Sequence, residues 1–241
     1  MKKILLFVLA TIIMSFNAFS QYSISELREL IPLTLTYPII DYKDISKINR
    51  DSNWKWGWLQ QEDINKLRAV KFLDMQGKIV DNTSDWVIAG RRYRPIPTNQ
   101  CPDIFSIQIS IGYDARRTIL AVYKDNTLCD TVETFMCGSS RHVSGHEIIV
   151  KQSKLEHGGK LTVYELYPTT STPLIFETMS DSQKVTAQRK DITYQLNVES
   201  GKFVKTSETL YYPQEYEVSY YGINGTDIWD GTETKIGTIT Y

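Results

Sequence analysis

The chain has 241 residues, 41% of them hydrophobic, and its 27 Lys and Arg residues nearly balance its 28 Asp and Glu residues, for a formal net charge of −1. A nucleic-acid-binding protein usually carries a basic face. Here the densest basic group is the short run Arg91-Arg92-Tyr93-Arg94, which we expect to be a solvated loop. Binding to nucleic acid or to an anionic membrane is therefore not expected, and the length fits one large β domain or two small ones.

Residues 1–20 have the layout of a secretory signal peptide. Two lysines precede the uncharged apolar run Ile4–Phe16, whose 13 residues fall short of the roughly 20 that cross a bilayer. Ala18-Phe19-Ser20 then supplies the small residues at which signal peptidase cleaves. We expect cleavage after Ser20, giving a secreted or periplasmic chain of residues 21–241 without a transmembrane anchor. Loss of the two lysines leaves 25 basic and 28 acidic residues, a net charge of −3.

Residues 21–100 show a mixed pattern with helical character. Ser25–Leu30 predicts a short helix that ends before a proline. In Gln60–Leu73, apolar residues recur at three-residue spacing and two acids stand near the start, which is typical of a helix. A second interpretation ends this helix near Arg68 and forms a hairpin across Met75-Gln76-Gly77. The sequence leaves both interpretations open.

From residue 101 onward, short strands alternate with polar turns. Ser106–Gly112 alternates isoleucine with polar residues, as a half-buried strand does, and Thr118–Tyr123 is apolar on both faces, as a central strand is. Lys124-Asp125-Asn126-Thr127 predicts a turn before a strand at Leu128–Phe135. Further strands are predicted at residues 148–152, 161–167, 173–179, 192–198, 203–210 and 216–221.

Together these elements predict an α+β fold that is mainly β: an antiparallel meander or sandwich-like sheet with a helical N-terminal segment. Strands and helices do not alternate, so a parallel sheet is not expected. We expect residues 21–241 to form a single domain, in which residues 21–100 are the mixed helical part and residues 101–241 the antiparallel β part.

The stretch CGSSRHVSGHE, residues 137–147, brings Cys137, His142 and His146 together, with His157 further along the chain. These are metal-ligating residue types, but the spacing matches no standard zinc pattern. A cysteine nucleophile would need a base and an orienting group from elsewhere in the chain. Glycine and serine residues around the histidines favour a polar hairpin loop between Phe135 and Ile148. We therefore expect no metal, no cofactor and no catalytic residue here.

Three cysteines in an exported protein suggest one disulfide and one leftover thiol. Cys129 and Cys137 lie eight residues apart on one predicted strand. That separation is about 26 Å when extended, against the about 4.4–6.8 Å that a disulfide allows between Cα atoms. Any bridge is therefore expected to join Cys101 to one of the other two.

Aromatic residues supply the candidate binding sites. Trp54, Trp56 and Trp58 alternate, so on a strand they would share one face; they either pack the N-terminal part onto the sheet or stack on sugar rings. The tail is rich in tyrosine, and neighbours such as Tyr220 and Tyr221 must point to opposite faces of a strand. The candidate contact surface in the tail runs from Tyr211 to Trp229 and includes Tyr212, Tyr216, Tyr220 and Tyr221.

An exported chain with many aromatics and no catalytic signature is typical of a binding module rather than an enzyme. The first hypothesis is a soluble protein-binding module, such as an inhibitor, an immunity factor or an envelope adaptor, whose partner is another envelope or secreted protein. The alternatives are an extracytoplasmic hydrolase that uses carboxylates or the Cys137–His146 loop, and a carbohydrate-binding module that uses the tryptophan row. Facing carboxylates in a deep cleft would favour the hydrolase, and an exposed tryptophan row would favour glycan binding.

The signal peptide makes a direct prediction: the mature protein begins at Gln21. Intact mass spectrometry of the exported protein should give the mass of residues 21–241, allowing for cyclisation of the N-terminal glutamine. A mass that includes residues 1–20 would contradict the prediction of export.

Overall fold

The computed structural model describes residues 28, 33–34, 37–40, 86–111, 115–138, 141–145, 147–178, 181–219, 222–223 and 234–241. Within these ranges the protein is mainly antiparallel β sheet. The strands are β1 (Leu33–Thr34), β2 (Ile39–Ile40), β3 (Trp86–Tyr93), β4 (Asp103–Ile111), β5 (Ala115–Lys124), β6 (Thr127–Gly138), β7 (Arg141–Val143), β8 (Val150–Leu155), β9 (Lys160–Pro168), β10 (Thr172–Leu174), β11 (Ser182–Asn197), β12 (Lys202–Tyr211), β13 (Gln214–Ser219), β14 (Gly222–Ile223) and β15 (Lys235–Thr240).

Thirteen of these strands form one sheet in the order β1-β3-β4-β5-β6-β8-β9-β11-β12-β15, with β2, β13 and β14 paired beside this path. Neighbours along the chain are mostly neighbours in the sheet, so the described part is largely a meander. Every pairing is antiparallel except the short contact of β1 with β3. Strands β7 and β10 form a separate two-stranded sheet. Among the described residues, no helix is long and apolar enough to cross a membrane.

Strand β5 is central, as its sequence predicts, because it pairs with β4 on one edge and with β6 on the other. All six residues from Thr118 to Tyr123 are buried. The β5–β6 turn places Asp125 at φ 51° and Asn126 at φ 64°. Asp and Asn tolerate this left-handed region better than most residues, so the turn predicted from Lys124 to Thr127 is confirmed along with its chemistry.

Strand β11 is the longest, with 16 residues, and it organises the second half of the sheet. Its start, Ser182–Ala187, pairs with β13, and its later part, Lys190–Asn197, pairs with β12. Strand β9 pairs along the opposite edge of β11. Because β12 and β13 pair with different parts of the same edge of β11, the sheet has two parts, each with its own apolar core.

The two cores lie on opposite faces of the sheet, because alternate residues of a strand point to opposite sides. On β9, Leu161 and Val163 belong to the first core and Leu166 to the second. The first core also includes Ile104, Leu120, Val122, Leu155, Leu196 and Phe203. The second includes Val150, Leu174, Val185, Ala187, Tyr216 and Val218.

The first core brings distant strands together because the sheet curls. The backbone N–H of Phe203, at the start of β12, donates to Asp130 Oδ2 on β6 over 2.8 Å. Gly201, in the turn before β12, has φ 69°, and a Cβ there would lie 3.1 Å from Cβ and Sγ of Cys129. The positive φ and the close approach to Cys129 both favour glycine at this position. The β11–β12 turn therefore packs closely against the β5–β6 hairpin.

The strands predicted from alternation are confirmed, although several bounds differ. Strand β10 covers Thr172–Leu174, so it shares only Pro173 and Leu174 with the strand predicted at residues 173–179. The predicted hairpin loop between Phe135 and Ile148 contains strand β7, which pairs with β10. The run Arg91 to Arg94 is not a solvated loop, since β3 extends through Tyr93. The predicted helices at residues 25–30 and 60–73 lie outside the described residues, apart from Arg28, and so does the hairpin alternative.

A row of alternating charges runs across the sheet. Lys151 on β8 is 3% exposed, and its Nζ lies 3.2 Å from Glu133 Oε2 on β6 and 3.1 Å from Glu165 Oε1 on β9. Arg117 on β5 pairs with the other oxygen of Glu133, and Lys190 on β11 lies 3.1 Å from Glu165 Oε2. The row thus links five strands.

This row matters because β6 and β8 share only one register pair among the described residues, Met136 with Lys151. The Glu133–Lys151 ion pair therefore reinforces the narrowest junction of the sheet. Burial raises the pKa of Glu165, but the charge of Lys151, the hydrogen bond from Tyr167 and the charge of Lys190 together bring it below the ordinary value. The charged form of that carboxylate is the stable one.

Removing Lys151 should destabilise the protein strongly. Lys151→Ala leaves two buried carboxylates without their shared cation, which typically costs about 3–5 kcal/mol. Urea denaturation should show this loss as a lower midpoint. Lys184→Ala is the matched control, because Lys184 makes an exposed ion pair with Glu215 and its loss should leave the midpoint unchanged. Equal midpoints for the two variants would contradict the role given to this row.

Candidate functional site

The last described strand, β15, is an edge strand with one open side. It pairs with β12 from Ser207–Thr240 to Tyr211–Lys235, and no described strand pairs with its other edge. The backbone N–H and C=O groups along an open edge can hydrogen-bond to another strand. Strand β15 is therefore a template for strand addition.

Large apolar side chains concentrate at this edge. All residues from Lys235 to Tyr241 are exposed. Six large hydrophobic side chains are exposed in the described part of the chain, and five of them lie on β12, on β15 or directly after these strands. The five are Val204, Tyr212, Ile236, Ile239 and Tyr241.

Contacts with β12 hold the edge in place. The backbone N–H of Tyr241 donates to the carbonyl of Thr206 over 2.9 Å, and that of Tyr212 donates to Thr234 over 3.0 Å. Lys205 pairs with Glu208, and its Nζ lies 4.5 Å from the centroid of the Tyr241 ring. The hydrogen bond from Lys205 lowers the pKa of Glu208 below its ordinary value. The surface formed by β15, Tyr212, Val204 and Tyr241, hereafter the edge surface, is thus ordered by contacts within the protein.

The structure separates the tyrosines of the predicted tail. Tyr211 is buried, and its hydroxyl donates to Asp191 Oδ2 over 2.9 Å, while Tyr216 belongs to the second core. These two are therefore not part of a contact surface, whereas Tyr212 is exposed. The other predicted binding residues lie outside the described residues: Tyr220, Tyr221, Trp229, Trp54, Trp56 and Trp58.

Asp191 explains why Tyr211 is buried. Arg189, on the same face of β11, donates to both oxygens of Asp191 over 2.6 and 2.7 Å. The guanidinium carbon lies 4.5 Å from the ring centroid of Tyr211 and 5.2 Å from that of Tyr164. Tyrosine is used here to enclose a buried ion pair, a role that its position in the sequence does not reveal.

Strand β15 is not among the strands predicted from the sequence. The run KIGTIT, residues 235–240, is rich in β-branched residues, which favour a strand. Its two isoleucines, Ile236 and Ile239, are three residues apart and point to opposite faces, so the run lacks the period-two alternation from which the other strands are predicted.

The residues around the CGSSRHVSGHE stretch are spread over separate elements. Cys137 is buried on β6 beside Phe135, and His142 is exposed on β7 opposite Pro173. His157 follows β8, where its ring makes an edge contact with Tyr37 at 5.9 Å. His146 lies outside the described residues, and within them no group of three or more His, Cys, Asp or Glu side chains could hold a metal.

The disulfide expected from Cys101 is not formed, since none of the three cysteines is bonded to another. Cys101 lies in the first core, and burial raises its pKa. Cys137 lies in a separate cluster with Phe135, and Cys129 contacts the carbonyl of Thr127. The three thiols belong to different surroundings, so none is placed to bridge another.

Carboxylates that could serve a hydrolase also have another role in the described part of the chain. Glu133 and Glu165 converge, but on Nζ of Lys151, which lies between them. A buried cation occupies the space that a substrate would need. This arrangement is a satisfied ion network rather than a pair of carboxylates that flank a cleft.

Comparison with protein-family models, with curated proteins and with solved structures finds no match to this chain.

The segment from Cys137 to His157 is predicted to bind no structural metal. If it did, a chelator would remove binding energy that stabilises only the folded state, and the melting temperature would fall. We expect thermal melting of the purified protein to be the same with and without chelator. A large drop that zinc restores, and that is lost in His142→Ala or His146→Ala, would contradict this prediction.

Proposed function

We propose that this protein is an exported protein-binding module that acts without a cofactor, and that the edge surface is its binding site. The observation that carries the proposal is the open edge of β15, where Ile236 and Ile239 are exposed on one short strand and Tyr241 is exposed directly after it. The partner is a secreted or envelope protein that contributes an extended segment.

The chemistry of an open edge favours an extended peptide as the ligand. In strand addition, backbone hydrogen bonds supply affinity and the exposed side chains select the sequence. Apolar side chains such as Ile239, at 61% exposure, then become buried against the added strand. Rings such as those of Tyr212 and Tyr241 are favoured anchors at protein interfaces.

Protection along β15 is confined to its start, where Lys235 lies and where the register with β12 shifts between Leu210 and Tyr211, and this supports the interpretation. Proteins usually blunt an exposed edge with charged side chains, proline or a bulge that turns the edge away. From Ile236 to Tyr241 the sequence contains no charged residue and no proline. An apolar edge that is left open is a hazard for aggregation unless a partner covers it.

The two alternative functions from the sequence have less support. The buried carboxylates Glu133 and Glu165 are neutralised by Lys151 together with Arg117 and Lys190, which does not favour a hydrolase. A carbohydrate-binding module that uses Trp54, Trp56 and Trp58 stays a hypothesis, because those residues lie outside the described ones. An inhibitor, an immunity factor or an envelope adaptor would each use a protein-binding edge.

The test compares two isoleucines of equal exposure. Ile239→Lys places a charge on the edge, beside Glu208 in the register, while Ile175→Lys does the same at 59% exposure in the loop after β10. Tagged mature protein should capture a partner from envelope extract in the wild type and in Ile175→Lys. Ile239→Lys should lose it, with a cost of about 2 kcal/mol or more, or roughly 30-fold in Kd.

Other outcomes would contradict the proposal in distinct ways. A partner that all folded variants retain would move the site to Tyr220, Tyr221 and Trp229. Light scattering that shows a dimer of this chain, dissociated by Ile239→Lys, would make a second copy the occupant of the edge. Turnover of a glycan or peptide substrate by the purified protein, with no partner captured, would replace the proposal with the hydrolase.

A further inference from the structure

A cleft of about 630 Å³ lies at the end of the sheet where β4 begins and where β5 and β11 end. Its volume is within the range of roughly 300–1,000 Å³ that is typical of small-molecule sites. None of its lining residues belongs to β12 or β15, so it is separate from the edge surface. The lining residues include Arg28, Arg94, Cys101, Asp103, Tyr123 and Lys124.

The inner wall of the cleft carries more positive charge than its own carboxylate can neutralise. Asp103 is 1% exposed, and it accepts hydrogen bonds from Nε of Arg28 over 2.6 Å and from Nε of Arg94 over 2.9 Å. Nε of Arg92 lies 3.9 Å from the same carboxylate. Arg28 and Arg94 line the cleft and Arg92 stands behind it, so around Asp103 the lining has one more positive than negative charge. Lys124, Asp125 and Glu199 bring the whole lining to three basic and three acidic residues.

The strand register builds this arrangement. Tyr93 pairs with Ile104, so Arg94 follows on the row of Asp103, and Asp103 pairs with Tyr123 on β5. Arg92 stands two residues before Arg94 and shares its face. Arg92 and Arg94 of the basic run therefore face a buried acid and a tyrosine across three neighbouring strands.

Tyr123 supplies a hydroxyl group that the protein itself does not use. The residue is 4% exposed, and its hydroxyl has no hydrogen-bond partner among the described residues. Its ring is fixed by an edge contact with Phe105 at 5.7 Å. Burial raises the pKa of Tyr123 to about 12, so the hydroxyl keeps its proton and remains a donor at neutral pH.

We propose that this cleft binds a small organic oxyanion, a molecule with a carboxylate or phosphate group, which the guanidinium groups of Arg28 and Arg94 bind and to which Tyr123 donates a hydrogen bond. Guanidinium groups suit both oxyanions, because their planar N–H donors match the geometry of two oxygens. Each arginine uses Nε on Asp103, and no further side-chain hydrogen bond joins the guanidinium of either to a described residue.

The charged groups around the cleft favour the binding of a small anion. Burial lowers the pKa of Arg92, and the positive charges of Arg94 and Arg28 lower it further, against the opposing effect of Asp103. An added anion would relieve this repulsion. At the rim, Asp125 and Glu199 would repel a long polyanion, which favours a compact ligand over a nucleic acid.

Calorimetric titration of the full mature protein tests the proposal, with inorganic phosphate as the phosphate probe and succinate as the carboxylate probe. We expect saturable millimolar binding of at least one probe, weakened by added salt. The probe that binds more tightly identifies the class of oxyanion.

Three variants locate the site. Tyr123→Phe should weaken binding about tenfold, since a hydrogen bond to a charged group is lost, while its melting temperature should be unchanged or higher because the buried hydroxyl has no partner. Arg94→Gln should weaken binding at least as much. Lys184→Gln, which removes an exposed cation elsewhere, should bind like the wild type.

The proposal is overturned if neither probe binds saturably to the wild type, or if all folded variants bind equally. If Arg94→Gln does not fold, Tyr123→Phe decides the matter alone. Because the cleft and the edge surface share no residue, loss of partner capture in Ile239→Lys and loss of anion binding in Tyr123→Phe are independent results.

Discussion

The buried cation of Lys151 is the interaction on which the sheet depends most. Strands β6 and β8 share a single register pair among the described residues, so the backbone alone joins the two halves of the sheet weakly. Glu133 and Glu165 bind Lys151 from the strands on either side, and the first core crosses the same junction. A buried ion pair is not in general more stabilising than apolar packing. Here the ion pairs of Lys151 stabilise the junction of β6 with β8, because unpaired carboxylates at this junction would favour the separation of the two halves of the sheet.

The sequence predicts the strands well where alternation and turn chemistry agree. The run from Thr118 to Tyr123 and the turn at Asp125 and Asn126 are confirmed, because apolar faces and left-handed turn residues are local properties. Burial of charge is not local. Lys151 would be assigned to the surface by its residue type, and only the register shows that two carboxylates meet it. The basic run at residues 91–94 was predicted to be solvated for the same reason. Asp103 approaches Arg92 and Arg94 only because β3 pairs with β4.

The tyrosines show a second limit. Period-two alternation tells which residues share a face, but not which face is covered or whether either one is. Tyr211 is buried because Arg189 and Asp191 need a partner on their face, and Tyr212 is exposed because it follows the end of β12. Strand β15 has both faces in solvent, a condition that composition cannot distinguish from half-burial. Both candidate binding regions thus come from tertiary pairing rather than from a motif.

The two ends of β12 connect these regions physically. At one end, the turn from β11 places Val198 and Glu199 in the lining of the cleft, and Gly201 fits against Cys129. At the other end, β12 is the strand on which β15 is laid. The cleft and the edge surface share no residue, so under the two proposals each can be occupied without the other. A protein of this design can present an open edge to a partner while a polar cleft at the far end of the same strand remains accessible, because the cores on the two faces, rather than either ligand, hold the strand in place.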